Sequence, residues 1–225
     1  MIILGLDTAL GACSVAVVAD GRVLAHEHRD MVRGHAEALA PMVEALMHQS
    51  GLGFAALDRI AVTTGPGTFT GQRVGLAFAR ALRVALNKPA VGVTTLDAMA
   101  AEALQKQPCP WAIAAADAKR GEIYLGMRAA DGTILMEPEL IALDAFLTRI
   151  AGFANIHGRS VALAGTAAET IAPLLAQAGL QPIDSLVRQP DAILVASLAE
   201  GAPDEGPPKP LYLRAPDAKL PGGTK

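Results

Sequence analysis

The chain has 225 residues, 52% of them hydrophobic but only 4% aromatic, with 19 Lys and Arg against 22 Asp and Glu and a formal net charge of −3. Such a chain can bury a sizeable core in one or two domains of roughly 100 residues each, built from Ala, Val, Leu and Ile in the close helix-on-sheet packing of an α/β protein. No run of Lys or Arg supplies the footprint of an autonomous nucleic-acid binder, no apolar stretch approaches the roughly 20 residues of a bilayer span, Cys13 and Cys109 lack C-x-x-C spacing, and residues 2–6 lack the basic flank of a leader, so the chain reads as cytoplasmic with no membrane contact.

Residues 2–6, 12–18 and 22–28 carry strand signals, and Asp20-Gly21 between the last two supplies the positive φ angles of a tight hairpin, which predicts an antiparallel meander. Over 35–49, Leu39, Met42, Val43 and Leu46 recur at i, i+3, i+4, i+7, a helical period; Pro41 predicts a kink there or marks the true first turn. Residues 59–64 read as a buried strand running into Gly65-Pro66-Gly67-Thr68-Phe69-Thr70-Gly71 and a helix over 72–86, stopped by Asn87-Lys88-Pro89. A short strand at 90–93 and a helix over 96–105 complete the order βββαβαβα, which suits a five-stranded mixed sheet with helices on its faces.

The second half begins as the first does. Asp7 and Asp117 each follow an apolar strand, each has a Gly four residues later, and each is followed by an Asp-Gly turn 13 or 14 residues on. Residues 161–164, Gly165-Thr166 and the apolar run to Ala176 echo the strand, Gly loop and helix at 59–86. An ordered set of echoes predicts a duplicated lobe, divided as 1–106 and 107–200. From Gly201 onward ten of 25 residues are Pro or Gly, which predicts a tail contributing little to the fold apart from docking of residues 211–213.

The Gly loop joins a strand to a helix, where backbone N–H groups can hold an anion. Gln72-Arg73 follow its last Gly, so no Walker Lys is present. Two readings stay open for Gly65, Gly67 and Thr68: a tight turn with close backbone approach, or a phosphate site. Asp7 and Thr8 at the end of the first strand likewise either cap a turn or belong to such a site. His26 and His28 share a strand face without a third ligand, and no Ser or Cys has a nucleophile's framework, so no metal site and no catalytic residue are expected.

The strings ILGLDTALGACSVAVV, RGHAEALAPMVEAL, TGPGTFTGQRVGLAFARAL and PAVGVTTLDAMA, in this order, resemble the TsaB family over about the first 100 residues, with DAKRGEIY and LYLR as weaker support. The resemblance implies duplicated actin-like ATPase / RNase H-like lobes, each a mixed sheet flanked by helices. It also implies a supporting subunit that pairs with a catalytic paralogue, TsaD, and works with an ATPase, TsaE, in threonylcarbamoyl modification of the adenosine next to the tRNA anticodon. tRNA would then be met only through the complex, with a homodimer open to the isolated chain. The paralogue carries a His-x-x-x-His metal pair where this chain has Thr95 and Met99, neither of which replaces a neutral imidazole. The expected protein is therefore a non-catalytic subunit with no cofactor; the alternative is an ATP- or metal-dependent enzyme of the same fold, including a glycoprotease.

On the helix at 72–86, Val74, Phe78, Ala81, Leu82 and Ala85 form one apolar face, assigned to the sheet. Arg73, Leu76, Arg80 and Arg83, with Ala79 adjoining, fall opposite, so Leu76 is expected at the surface. With Leu39, Val43 and Leu46 of the preceding helix these residues make up the expected partner interface, the four-helix contact that the resemblance implies for pairing with the paralogue.

Overall fold

The structure, a computed structural model, describes residues 1–214; residues 215–225, the end of the expected tail, lie outside it. Among the described residues ten strands form two five-stranded sheets. In the first, β1 (Ile2–Asp7), β2 (Ala12–Ala19) and β3 (Arg22–Asp30) make the antiparallel meander, and β4 (Arg59–Thr63) and β5 (Ala90–Val93) add in parallel beside β1, in the order β3-β2-β1-β4-β5. The second has the same topology: β6 (Trp111–Lys119), β7 (Glu122–Ala129), β8 (Ile134–Ala142), β9 (Ser160–Ala164) and β10 (Gln181–Asp184), ordered β10-β9-β6-β7-β8. Asp20 and Gly21 have φ of 49° and 73°, the tight hairpin that their sequence demands. In the second sheet the matching turn is looser, with Gly132 alone at φ 94° and the Ala129 N–H donating to the Thr133 carbonyl.

Helices α1 (His35–Gln49) and α2 (Phe69–Leu86) cover one face of the first sheet, where Leu39, Met42, Val43, Leu46 and Met47 meet Leu4, Val15, Val17, Ile60 and Val62. Pro41 sits on the exposed side of α1 without ending it. Helix α3 (Thr95–Lys106) packs on β6, β7 and β9 of the second sheet, through Leu96, Met99, Ala100 and Ala103 against Ala112, Ala114 and Ala162. The short helices α4 (Phe146–Ile150) and α5 (Phe153–His157) and the longer α6 (Ala168–Gln177) follow; α4 and α6 close the opposite face over Trp111, Ile113 and Leu163. The last helix, α7 (Ala192–Ala199), returns to the first sheet and packs on β1, β2 and β4. A side chain at Gly5 would collide with the Ala192 carbonyl, so α7 reaches the sheet only because β1 carries Gly there. Each half thus donates its final helix to the other half's sheet, and α3 and α7 touch between the two.

Three expectations need correction. Helix α2 begins at Phe69, three residues early, because the Thr68 hydroxyl accepts from the Gly71 N–H and caps it. Its facing is also reversed. Gly71, Gln72, Gly75, Leu76 and Ala79 are buried, Leu76 being 3% exposed, whereas Val74, Phe78 and Leu82 are half-buried and Ala81 and Ala85 face solvent. The small side chains decide this, since a Cβ at Gly75 would lie 2.7 Å from Thr8 Oγ1 and 3.2 Å from Val62 Cγ2: the helix approaches the sheet along its glycines. Leu39, Val43, Leu46 and Ala79 are likewise core residues of the isolated chain.

The third correction concerns the segment after α7. Arg59 donates to the carbonyls of Ala199 and Ala202, Arg83 pairs with Asp204 at 2.8 Å, Arg80 donates twice to the Pro208 carbonyl at 2.8 and 2.6 Å, and Arg73 Nε donates to the Tyr212 hydroxyl at 2.9 Å. The Leu211 N–H donates to the Thr64 carbonyl at 2.8 Å, and Arg214 pairs with Glu122 on the second sheet. Residues 201–214 are therefore a strap that occupies the arginine flank of α2. Pro and Gly there keep the chain extended and outside any sheet, so its acceptors are left for the guanidiniums.

Candidate functional site

The C-terminal ends of β1, β4 and β5 meet beneath the Gly loop, where open α/β sheets place their ligands. Asp7 ends β1 and is fully buried. Its Oδ1 accepts from Thr63 Oγ1 at 2.6 Å and from the Ala9 N–H at 3.1 Å, while its Oδ2 has no hydrogen-bond partner. Burial pushes its pKa up to about 7, against the opposing pull of the Thr63 and Ala9 hydrogen bonds. Thr8 Oγ1 donates to the Gly71 carbonyl at 2.7 Å and accepts from the Gly75 N–H at 3.0 Å, so Thr8 clamps the first turns of α2 onto β1.

The loop is shut against that turn. The Thr68 N–H donates to the Ala9 carbonyl at 2.8 Å, and a Cβ at Gly67 would strike the same carbonyl. A Cβ at Gly65, φ 106°, would lie 2.6 Å from Gln72 Cδ, so the Gln72 side chain fills the space under the loop. Of the two readings left open for Gly65, Gly67 and Thr68, the geometry matches the tight turn: the Thr68 N–H is spent on the Ala9 carbonyl and the Gly71 N–H on Thr68 Oγ1. Gln72 was missed in the sequence, where its position registered only as a missing Lys.

Thr95 and Met99 are both fully buried at the start of α3, with the Thr95 N–H donating to the Gly65 carbonyl at 2.8 Å. A hydroxyl and a thioether one helical turn apart do not fit a hard or borderline cation. Among the described residues no group of three His, Cys, Asp or Glu side chains is placed to hold a metal ion. The matching residues of the repeat have diverged: Asp117 is 44% exposed and its pKa is lowered by its hydrogen bond from Lys119, with the Asp117 N–H donating to Thr166 Oγ1 at 2.9 Å.

A second polar cluster joins the halves. Gln189 Oε1 accepts from the Gly11 N–H at 2.8 Å, and Asp191 caps α7 by accepting from the Ile193 N–H at 2.8 Å. His26 Nε2 lies 3.0 Å from Asp191 Oδ1, out of line for a hydrogen bond, and His28 Nδ1 lies 3.8 Å from Oδ2. Burial would raise the Asp191 pKa, but His26 and the Ile193 N–H overcome it and hold it low, while the carboxylate raises the pKa of His26. The Asp before an apolar run was the sequence signal for this cap.

A family model described as TsaD, tRNA N6-adenosine threonylcarbamoyltransferase, matches residues 26–188. The tRNA threonylcarbamoyladenosine biosynthesis protein TsaB of Escherichia coli strain K12 is 40% identical over 55% of this chain and 53% of its own length, so the match spans about half of that relative. The solved structure of YeaZ from Pseudomonas aeruginosa superposes with a TM-score of 0.74 at 28% identity, covering 94% of this chain and 99% of that one. A ROK hexokinase from Thermus thermophilus, at 16% identity over 88% of this chain and 98% of its own, shares the fold alone with a TM-score of 0.51, as expected for duplicated actin-like lobes. The repeated sheet order, the exchanged helices, the matched family model and the TsaB relatives agree: the chain belongs to the TsaB family, within the sequences that the threonylcarbamoyltransferase model describes.

Proposed function

We propose that this chain is the non-catalytic subunit of a tRNA threonylcarbamoyladenosine-forming assembly. It pairs as a heterodimer with a TsaD-type transferase, works beside a TsaE-type ATPase and meets tRNA only through the complex. The observation that carries the reading is the closed loop: Gln72 fills the space under Gly65, and Thr68 spends its donor on Ala9, at the place where a nucleotide-using relative needs free N–H groups. Thr95 and Met99 at the ligand positions add to it.

In this reading residues 1–106 and 107–200 are the two lobes, and the first presents α1 and α2 to the partner. The expected contact residues Leu39, Val43, Leu46, Leu76 and Ala79 give way to the solvent side of α2, where Ala77, Ala81 and Val84, the last 83% exposed, lie within one helical face next to Arg73 and Arg80. Small side chains there let a second helix approach closely. The test is an assay with tRNA, ATP and a preformed activated threonylcarbamoyl donor. The isolated chain yields no modified nucleoside, and adding the paralogue and the ATPase restores it; product from the chain alone overturns the reading.

A further inference from the structure

We propose that Phe69, Arg73 and Tyr212 form a preset anchor for a carboxylate side chain of the partner protein, at one end of the solvent face of α2. The proposal rests on the partnership above and names the chemistry of one contact within it. The Arg73 guanidinium lies 3.6 Å over the centroid of the Phe69 ring, and Tyr212 stacks beside that ring with centroids 5.9 Å apart and planes at 27°. Phe69 is 58% and Tyr212 46% exposed, so two rings are held at the surface of a chain poor in aromatic residues. Nothing local puts them together: Phe69 opens α2, and Tyr212 is delivered by the strap, whose Leu211 N–H is fixed on Thr64 and whose Arg214 is paired with Glu122.

Arg73 spends Nε on the Tyr212 hydroxyl, while Nη1 and Nη2 have no acceptor among the described residues. The end-on fork that remains matches the two oxygens of a carboxylate. One guanidinium face is covered by Phe69 and its direction is set by Tyr212, so the desolvation and ordering that an exposed Arg incurs on binding are partly complete beforehand. A phosphate has the same oxygen geometry, but the surroundings disfavour a polyanion. Arg83 is already paired with Asp204 and Arg214 with Glu122, so the further cations along the strap that a nucleic-acid backbone needs are neutralised, whereas a single Asp or Glu needs only Arg73. Ala77 lies one turn from Arg73 on the same helix face, which makes the anchor continuous with the surface assigned to the partner, and Arg and Tyr are the residue types on which interface energy concentrates.

The experiment measures affinity for the purified catalytic paralogue by calorimetry, using the full chain and the variants Arg73→Met, Arg73→Lys and Ala81→Arg, with melting temperature as the folding control. We expect Arg73→Met to weaken binding at least about tenfold and Arg73→Lys nearly as much, since Lys keeps the charge but loses the fork, with melting lowered by no more than about 3 °C, the share of one exposed contact to the strap. Ala81→Arg tests the face itself and should abolish binding. Wild-type chain that does not bind the paralogue sinks the partnership and the anchor together. Binding lost in Ala81→Arg but kept within twofold in Arg73→Met leaves the partnership standing and overturns the anchor. Retained paralogue binding with lost cross-linking of the assembled complex to tRNA in Arg73→Met also overturns it, and makes these rings an RNA platform instead.

Discussion

Replacing Asp7 by Asn isolates what a buried carboxyl does to this fold. Asn keeps an oxygen for Thr63 Oγ1 and the Ala9 N–H, and it removes only the charge that burial opposes. The folded-state pKa of about 7 lies above the ordinary 3.8, so the folded protein holds the proton more tightly than the unfolded chain. The sign follows: stability associated with neutral Asp7 is complete below about pH 4 and is lost as pH rises through about 7, falling in total by at most ~4 kcal/mol. Asp7→Asn should therefore match the wild type near pH 3.5 and exceed it by about 2–4 kcal/mol at pH 8. Urea unfolding of both proteins at the two pH values reads this as a difference, in which the other titrating groups cancel. An Asn variant equally or less stable than wild type at pH 8 would refute the argument, because the carboxylate would then be a stabilising, satisfied group.

Leu76→Asp places a charge in the core of the first sheet and should cost at least about 3 kcal/mol, read as a collapse of the melting transition; an unchanged transition would return Leu76 to the surface. A chain ended at Ala202 should melt at least about 5 °C below one ended at Arg214, since it loses the contacts of Arg73, Arg80 and Arg83; equal melting would make those contacts idle. His26, raised above its ordinary 6.5 by Asp191, stabilises fully below that value and loses the contribution as pH rises through its folded pKa. His26→Gln should thus lower stability at pH 5.5 and hardly at pH 8.5, and an equal effect at both would mean that the imidazole acts by packing alone.

Element order, the Asp20-Gly21 hairpin and the repeat were legible in the chain because periodicity, turn chemistry and duplication are local or self-referential. The resemblance carried the family for a similar reason, since its motifs lie in contiguous strings. Facing was only half legible for α1: the period of Leu39, Met42, Val43 and Leu46 marks one apolar face, but the place expected for a partner on Leu39, Val43 and Leu46 is taken by the sheet. It failed on α2, where large apolar side chains and small ones lie on different faces: hydrophobicity points Val74 and Phe78 inward, but only the approach of Thr8 and Val62 to Gly75 shows that the helix needs its smallest face against the sheet. The strap shows the same limit. Its Pro and Gly content says that it forms no regular element, and says nothing of the four lobe-one guanidiniums that donate to it. Whether Asp7 and the Gly loop cradle an anion or seal against each other turned on Ala9 meeting Thr68, and on Gln72 and Thr63, about 60 residues further along the chain. Composition and spacing therefore determined which elements form and how often they repeat, while tertiary contact decided which surfaces are free, because a side chain's exposure is set by what the fold brings opposite it.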